Sequence, residues 1–473
     1  MIAFGTGGWR QIIGDQFTKK NVQLIVKAIA KMMKDEKETE NGFCIGYDRR
    51  FLSSEAAKWS AEVMAFEGIT CYVMEKPAPT PLIMYAVQHC HMGYGMAVTA
   101  SHNPALYNGI KVFTKGGRDA NEETTKRIES YIRLIEDESV SVIEYETAKA
   151  EGKVQVINLF NEYIDDILDK TNVEAVKKAQ LKVVLDPMYG VSQTSLRTLL
   201  MTTRCDLTVI HDRHDTLFGG KLPTPTSTTL HYLKDYVMEH QCDIGIATDG
   251  DADRIGVIDN YGRFLHPNDI LVLLYYYLLA YKGWKGDVVR NLSTTHMLDR
   301  VADKFAQTCH EVNVGFKHIS GMMAKTGAII GGESSGGLTI EGHINGKDGI
   351  YAAVLLIEMM AVTGKKLSEL MDEIRTQFGQ LYWQERDFHM TQQLKEALLN
   401  QVMIRHDLPP FLHSVERVSY EDGCKVYFTN GSWLVVRFSG TEPVLRICCE
   451  METEEQAAML CDLVTNYYEL YVH

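Results

Sequence analysis

The chain has 473 residues, too many for one ordinary core, which predicts roughly three or four domains of ~100–150 residues each. Its 45% hydrophobic and 23% charged residues exclude a disordered protein, and a net charge of −14 argues against a nucleic-acid surface as the main function. The same charge sets a condition: an anionic substrate would need basic side chains gathered at its site, because the molecule as a whole repels it.

In chain order, Asn21 to Lys34 carries apolar residues at helical spacing and precedes a short strand at Phe43 to Gly46. A helix at Ser54 to Glu67, a strand at Thr70 to Met74 and a proline-rich turn at Pro77 to Pro81 follow. This alternation predicts α/β layers around a largely parallel sheet, and the charged stretch Ile135 to Lys153 reads as a connection. The pattern restarts with strands at Leu181 to Leu185, Asp206 to Ile210 and Asp243 to Thr248, and Pro223-Thr224-Pro225 echoes Pro79-Thr80-Pro81. A third unit opens near Asn260 with an apolar helix (Asp269 to Tyr281), a strand (Asp287 to Arg290), a glycine-rich segment (Gly331 to Gly342) and a helix (Asp348 to Val362). The remainder changes character: a helix (Met390 to Val402), strands within Gly423 to Phe428, Ser432 to Phe438 and Val444 to Glu450, then a helix (Glu454 to Tyr468). That order predicts a smaller α+β domain. The boundaries that follow are 1–150, 151–259, 260–380 and 381–473.

Ten cysteines occur without a Cys-x-x-Cys pair, which fits neither a zinc site nor a disulfide framework. The stretch Met1 to Gly8 lacks the basic and apolar regions of a signal peptide, and the longest apolar run, Ile270 to Tyr281, is shorter than the ~20 residues that span a bilayer. The expectation is a soluble cytoplasmic protein with neither a membrane nor a nucleic-acid partner.

Four motifs carry chemistry. In Val98-Thr99-Ala100-Ser101-His102-Asn103-Pro104, an apolar run breaks at a serine and proline forces a turn, so the hydroxyl is held and exposed as a nucleophile or phosphate carrier needs. An isolated Ser-x-x-Pro would read first as a helix N-cap. In Asp249-Gly250-Asp251-Ala252-Asp253-Arg254, three alternate carboxylates follow a buried-type strand and can converge on a hard cation such as Mg²⁺ if Gly250 lets the backbone curl. An EF-hand is a poor match, since Arg254 and Asn260 occupy its glycine and glutamate positions. A haloacid-dehalogenase-type phosphatase, with Asp249 as nucleophile, would place Thr or Val where Asp253 stands. Gly331-Gly332-Glu333-Ser334-Ser335-Gly336-Gly337 offers donors and acceptors suited to sugar hydroxyls on a glycine-freed backbone. In Arg437-Phe438-Ser439-Gly440-Thr441-Glu442-Pro443, with Arg446 beyond, an arginine fork, two hydroxyls and a freed amide suit phosphate. Arg10, after a glycine-rich start, and Lys317 on a short loop complete the set, whereas a lone histidine such as His102 or His318 is more often structural than catalytic.

Together with Tyr107-Asn108-Gly109-Ile110-Lys111, these motifs, in this order and from Phe4 to beyond Arg446, resemble the α-D-phosphohexomutases, most of all bacterial phosphoglucomutases and phosphomannomutases. The resemblance implies four domains around a central cleft: three mixed-sheet α/β units and a C-terminal α+β phosphate-binding domain. It implies Ser101 as phosphoserine, with Asp249, Asp251 and Asp253 holding one Mg²⁺ that also touches the serine phosphate. Glu333 and Ser335 would bind sugar hydroxyls, Arg437, Ser439, Gly440 and Thr441 the phosphate that does not react, and Arg10, Lys111 and His102 would stand near the phosphoserine, with Lys111 a candidate for proton transfer. Arg254, Lys317 and Arg446 would join Arg10, Lys111 and Arg437 in lining the cleft, which meets the condition set by the net charge.

The implied activity moves phosphate between C1 and C6 of a hexose through glucose 1,6-bisphosphate, which also serves as activator. The sugar loop departs from its relatives at Ser334, and at Gly337, where mannose- and glucosamine-type loops carry histidine. The Gly-Phe-Lys loop and the Gly-Gly-Leu-Thr-Ile-x-Gly-His-Ile continuation resemble bacterial phosphoglucomutases, so glucose is expected, with mannose or dual specificity as the alternative. A Mg²⁺-dependent phosphatase acting through Asp249, or a non-catalytic phosphosugar sensor, stays open on the residues alone. A monomer or homodimer is expected.

Overall fold

The computed structural model describes residues 2–5, 7–439 and 443–470. The chain forms two units, Met1–Ile270 with Ser335–Leu370, and Leu271–Ser334 with Met371–His473.

The first unit opens with a sheet built from Trp9–Ile12 (β1), Phe43–Tyr47 (β2), Cys71–Met74 (β3), Tyr94–Val98 (β4), Tyr107–Thr114 (β5), Arg118–Asp119 (β6) and Val154–Ile157 (β7). The order is β1-β5-β4-β2-β3-β7, with β6 on β5. The strands β4, β2, β3 and β7 run parallel, whereas β5 is antiparallel to β4 and β1, so the sheet is mixed. Helix Lys19–Asp35 starts where the Thr18 hydroxyl caps the amide of Asn21, and it buries Val22, Ile25, Ile29, Met32 and Met33 in the core of this sheet. Each such side chain contributes roughly 1.5–3 kcal/mol relative to exposure.

A second sheet follows from Lys182–Asp186 (β8), Asp206–Val209 (β9), Ile244–Thr248 (β10), Ile255–Asp259 (β11) and Phe264–Leu265 (β12), in the order β12-β11-β10-β8-β9. Its centre is parallel (β10 on β8, β8 on β9) and its other edge antiparallel. β4 and β10 each stand where the parallel part of the sheet meets an antiparallel strand, and their carboxyl ends lead into the Ser101 and Asp249 segments, the end of an α/β sheet where ligands bind.

In the second unit Val288–Asn291 (β13) lies between Cys309–Val312 (β14) and Ile330–Gly332 (β15) and runs parallel to both. The short strand Leu338–Ile340 (β16) and helix Gly349–Thr363 belong to the first unit. The chain closes with an antiparallel sheet of Tyr382–His389 (β17), Val415–Ser419 (β18), Cys424–Phe428 (β19), Trp433–Phe438 (β20) and Val444–Met451 (β21), in the order β17-β21-β20-β19-β18, with helix Glu454–Tyr467 on its core. Among the described residues, no helix is long and apolar enough to cross a membrane.

Three departures from expectation have physical causes. The stretch 135–153 is not a bare connection: it holds helix Tyr145–Ala150 and leads into β7, so the first sheet takes its last strand beyond residue 150. β5 escaped notice because Asn108 and Lys111 interrupt its apolar pattern, although both are buried. β17 and β18 are edge strands rich in charge, a composition that blunts exposed edges and hides strands from hydropathy.

Candidate active site

Ser101 is set by its neighbours. The Thr99 hydroxyl donates to Asp48 Oδ2 at 2.6 Å and accepts the Ser101 amide at 2.9 Å. Ser101 itself has φ 52°, the left-handed region, a strain of about 1–3 kcal/mol that surrounding contacts must over-determine. Arg50 supplies those contacts: its guanidinium donates to the carbonyls of Ser101 and Asn103 (both 2.6 Å), Pro104 (2.8 Å) and Tyr107 (3.0 Å). Asp48 pairs with Arg50 at 3.3 Å and accepts from Ser53 Oγ at 2.7 Å. No helix begins at Ser101, since β5 follows from Tyr107, which rules out the N-cap alternative. The Ser101 hydroxyl instead donates to Asp249 Oδ2 at 2.9 Å, with His102 Nδ1 3.3 Å away.

Asp249, Asp251 and Asp253 are buried and offer carboxylate oxygens within 4.8 Å of one another. Gly250 serves differently than expected. The left-handed residue of the loop is Ala252 (φ 63°), whereas a side chain at 250 would put its Cβ 2.7 Å from the Ser101 carbonyl oxygen. The glycine permits close approach of two backbones. Both Pro-Thr-Pro turns brace this loop. Thr80 donates its amide to Asp251 O (2.9 Å) and its hydroxyl to Asp251 Oδ2 (2.7 Å), and Pro223 O accepts the Gly250 amide at 3.2 Å.

Cations surround the trio. Lys111 Nζ lies 2.5 Å from Asp251 Oδ2 and 2.6 Å from Asp253 Oδ2, and Lys347 Nζ lies 2.8 Å from Asp253 Oδ2. Burial, then the charges of Asp251 and Asp253, pushes the Asp249 carboxyl well above its ordinary range. Burial acts the same way on Asp253, but Lys111, Lys347 and Arg254 outweigh it and hold that carboxyl well below. Two oxygens, Asp251 Oδ1 and Asp253 Oδ1, are buried without a hydrogen-bond partner, as are Arg10 Nε and Arg254 Nε. Unpaired buried carboxylate oxygens are costly, and an all-carboxylate donor set matches a hard divalent cation, so these residues fit Mg²⁺.

Arg10 reaches the same place from β1, donating to Asn103 Oδ1 at 3.3 Å. The His102 imidazole is held well below its ordinary pKa by Arg254 first, then burial and Arg10, and is therefore uncharged at neutral pH. Lys111, gripped by two carboxylates, is held as the ammonium, its pKa raised by Asp251 and Asp253 against burial. In this arrangement it carries positive charge beside the trio.

Two residues of this cluster were missed in the sequence. Arg50 sits in an unremarkable Tyr-Asp-Arg-Arg run, and nothing local marks its reach across more than fifty residues to Asn103. Lys347 had a signal: a Cβ at Gly337 would meet Lys347 Cδ at 2.3 Å, so the glycine that replaces a histidine leaves the volume the lysine stem fills.

The structure brings Ser101, His102, Lys111, Arg10, Arg254 and the trio into the first unit, along with Ser335, which is exposed. Glu333, Lys317, Arg437, Ser439 and Arg446 belong to the second. There Glu333 Oε1 accepts from Asn291 Nδ2 (3.2 Å) and the Gly315 amide (3.1 Å), and Lys317 lies in the first turn of helix Phe316–Thr326. Arg437 Nε donates to Asp422 at 3.0 Å. Arg446 pairs with Asp387 (2.7 Å) and Glu385 (3.1 Å), which compete with a substrate phosphate for its guanidinium. Gly440 and Thr441 lie outside the described residues.

Four family descriptions match in order: phosphoglucomutase/phosphomannomutase alpha/beta/alpha domain I over residues 1–139, domain II over 161–262, domain III over 266–378, and the C-terminal domain over 395–466. The chain belongs to this family. It is 30% identical to a phosphoglucomutase/phosphomannomutase of Thermococcus kodakarensis over 97% of each chain. It is 29% identical to a phosphoglucosamine/phosphogalactosamine mutase of Sulfurisphaera tokodaii over 98% of this chain and 99% of that one. Its structure superposes on a crystal structure of a putative phosphomannomutase from Thermus thermophilus with a TM-score of 0.85, at 27% identity over 99% of each chain. Family membership makes the protein a phosphohexomutase with the four-domain fold, three mixed α/β domains and an antiparallel C-terminal one.

Proposed function

We propose that the protein interconverts α-D-glucose 1-phosphate and glucose 6-phosphate through phosphorylated Ser101 and a glucose 1,6-bisphosphate intermediate, with Mg²⁺ held by Asp249, Asp251 and Asp253. The observation that carries this reading is the Ser101 hydroxyl 2.9 Å from Asp249, on a buried trio that keeps two carboxylate oxygens without partners. Asp249 has both its oxygens engaged, by the Arg254 amide at 3.1 Å and by Ser101, which favours the serine over the aspartate as phosphoryl carrier.

Phosphoryl transfer is mostly positioning and charge stabilisation. Arg50 and the left-handed backbone hold Ser101 Oγ in one place. The phosphorus–Oγ bond breaks as a sugar hydroxyl bonds to phosphorus. Uncharged His102, 3.3 Å from Oγ, carries the proton from that hydroxyl to the serine oxygen. Arg10, whose Nε is buried without a partner, Lys111 and Lys347 supply fixed positive charge for the transferring group. Bound Mg²⁺ would add charge neutralisation on the phosphoryl oxygens. The reverse transfer uses the other phosphate of the bisphosphate and reloads Ser101.

The choice of glucose rests on the loop Gly332-Glu333-Ser334-Ser335-Gly336-Gly337 and on Gly315-Phe316-Lys317. A second reading, mannose or dual use, is favoured by the naming of the Thermococcus relative, and a hexosamine phosphate by that of the Sulfurisphaera relative. The deciding assay compares glucose, mannose and glucosamine 1-phosphates with the bisphosphate supplied. Glucose should be turned over with the highest kcat/KM. A tenfold preference for either other sugar, about 1.4 kcal/mol in transition-state binding, would overturn the choice.

A further inference from the structure

His343 lies in the segment between β16 and helix Gly349–Thr363, and its side chain has no exposed surface. It is held between two carboxylates, with Nδ1 3.0 Å from Asp166 Oδ2 and Nε2 2.7 Å from Asp348 Oδ2. A neutral imidazole carries one N–H and could donate to only one of them, whereas the imidazolium satisfies both. Burial opposes that charge, but Asp166 and Asp348 outweigh it and raise the pKa of His343. The other polar groups around it belong to the same knot. Tyr163 donates to Asp348 Oδ2 at 2.6 Å, Lys170 pairs with Asp166, and the Tyr351 ring lies 4.7 Å from the imidazole.

The clamp fixes a short run of chain. Asp348 Oδ1 accepts the amides of Ile350 (2.7 Å) and Tyr351 (3.0 Å), capping the helix. Upstream, Gln88 Nε2 donates to His343 O at 3.1 Å, Thr339 Oγ1 to Ile344 O at 2.7 Å, and Asn345 Nδ2 to Gly116 O at 2.8 Å. A Cβ at Gly346 would meet Met84 Cε at 1.9 Å, so the backbone there is pressed onto helix Thr80–His89. The residue between Gly346 and Asp348 is Lys347, whose ammonium reaches Asp253.

We infer that His343 is a positioning residue for phosphoryl transfer: clamped by Asp166 and Asp348, it locks the 343–348 segment so that Lys347 is delivered to Asp253. This rests on the reaction proposed at Ser101. The sequence places His343 in the Gly-His-Ile end of the sugar-loop continuation without assigning it a role, because a lone buried histidine more often serves packing alone.

The test is a double-mutant cycle between His343→Gln and Lys347→Met. His343→Gln should lower kcat by about tenfold while KM stays within about threefold, because the Lys347 ammonium lies on Asp253 of the trio and only its stem packs on Gly337. In the Lys347→Met background the same substitution should cost less than about twofold. Hydrogen exchange should quicken over residues 338–348 in His343→Gln and stay unchanged over 244–259. If His343→Gln does not fold, Asp166→Asn, which leaves His343 its Asp348 partner, takes its place in the cycle. A loss that is fully retained without Lys347, or a kcat within about twofold of wild type, would overturn the inference. A wild-type chain that turns over no hexose phosphate would instead sink the reaction itself. The exchange measurement still decides the clamp in that case, and unchanged protection over 338–348 would refute it.

Discussion

Each unit contains a buried knot of charge, and the two differ in how completely they are closed. In the second unit Arg290 bonds Asp299 (2.8 and 3.1 Å) and Glu311 (2.5 Å), while Lys425 bonds Glu311 and the Leu292 carbonyl (both 2.6 Å). Tyr427 donates to the other Glu311 oxygen, and none of these groups is left without a partner. In the first unit three aspartates face Lys111 and Lys347, and two carboxylate oxygens and two guanidinium nitrogens have no hydrogen-bond partner, Asp253 Oδ1 and Arg254 Nε facing each other only at 3.9 Å. A closed network of this kind fastens structure, here joining β13 and β14 to β19. An open one stores unmet valence where a cation and a phosphate would supply it.

The largest effect should separate the two knots by function. Ser101→Ala should lower kcat by at least about 10⁴-fold with little change in the thermal midpoint. Arg290→Met should do the opposite: it strands Asp299 and Glu311, and denaturant unfolding should show a loss of about 3–5 kcal/mol with kcat per folded molecule retained. A dead but stable Arg290→Met protein would erase the distinction.

Next in size is the response to Mg²⁺. At about one hundred times its Kd, the ion should stabilise the folded chain by about 2.7 kcal/mol in a thermal shift. Asp251→Asn should lose that shift and Arg290→Met should keep it. A chelator should reverse it in the wild type.

The smallest effect lies in pH, where the signs oppose. His343 has a folded pKa above its ordinary value, so its contribution is full at pH below that value and is lost as pH rises through the raised one. Each pKa unit is worth about 1.4 kcal/mol. Burial would push the Glu311 carboxyl up, but His296, Arg290 and Lys425 outweigh it and hold it well below the ordinary range. Its contribution is therefore present above the ordinary carboxylate pKa and is lost only as pH falls. Hydrogen exchange between about pH 6 and about pH 9 should loosen residues 338–348 and leave β13 and β19 protected, and His343→Gln should abolish that dependence. Equal loosening in both regions would contradict these assignments.

Much of the first unit's site was legible because its motifs are contiguous. Ser101 lies just beyond the end of β4 and the Asp249, Asp251 and Asp253 run just beyond the end of β10, and the end of an apolar strand is visible in hydropathy. What escaped was long-range or disguised. Arg50 acts through four carbonyls that any residue could present, so its partners leave no mark in side-chain identity. β5 was hidden by the polar residues it delivers, Lys111 among them. The Pro-Thr-Pro echo was seen, but its service to the Asp loop depends on contacts such as Thr80 to Asp251, 171 residues apart. The alternating elements of the α/β sheets were readable in outline, and the edge strands β17 and β18 were not, since edges carry charge where cores carry aliphatics.

The most direct test of the central claim is to incubate the protein with Mg²⁺ and glucose 1,6-bisphosphate carrying labelled phosphate and to map the label by peptide mass. The account predicts an acid-stable phosphoserine at Ser101, discharged by glucose 1-phosphate or glucose 6-phosphate and absent from Ser101→Ala. Acid-labile label on Asp249 that survives Ser101→Ala would contradict it.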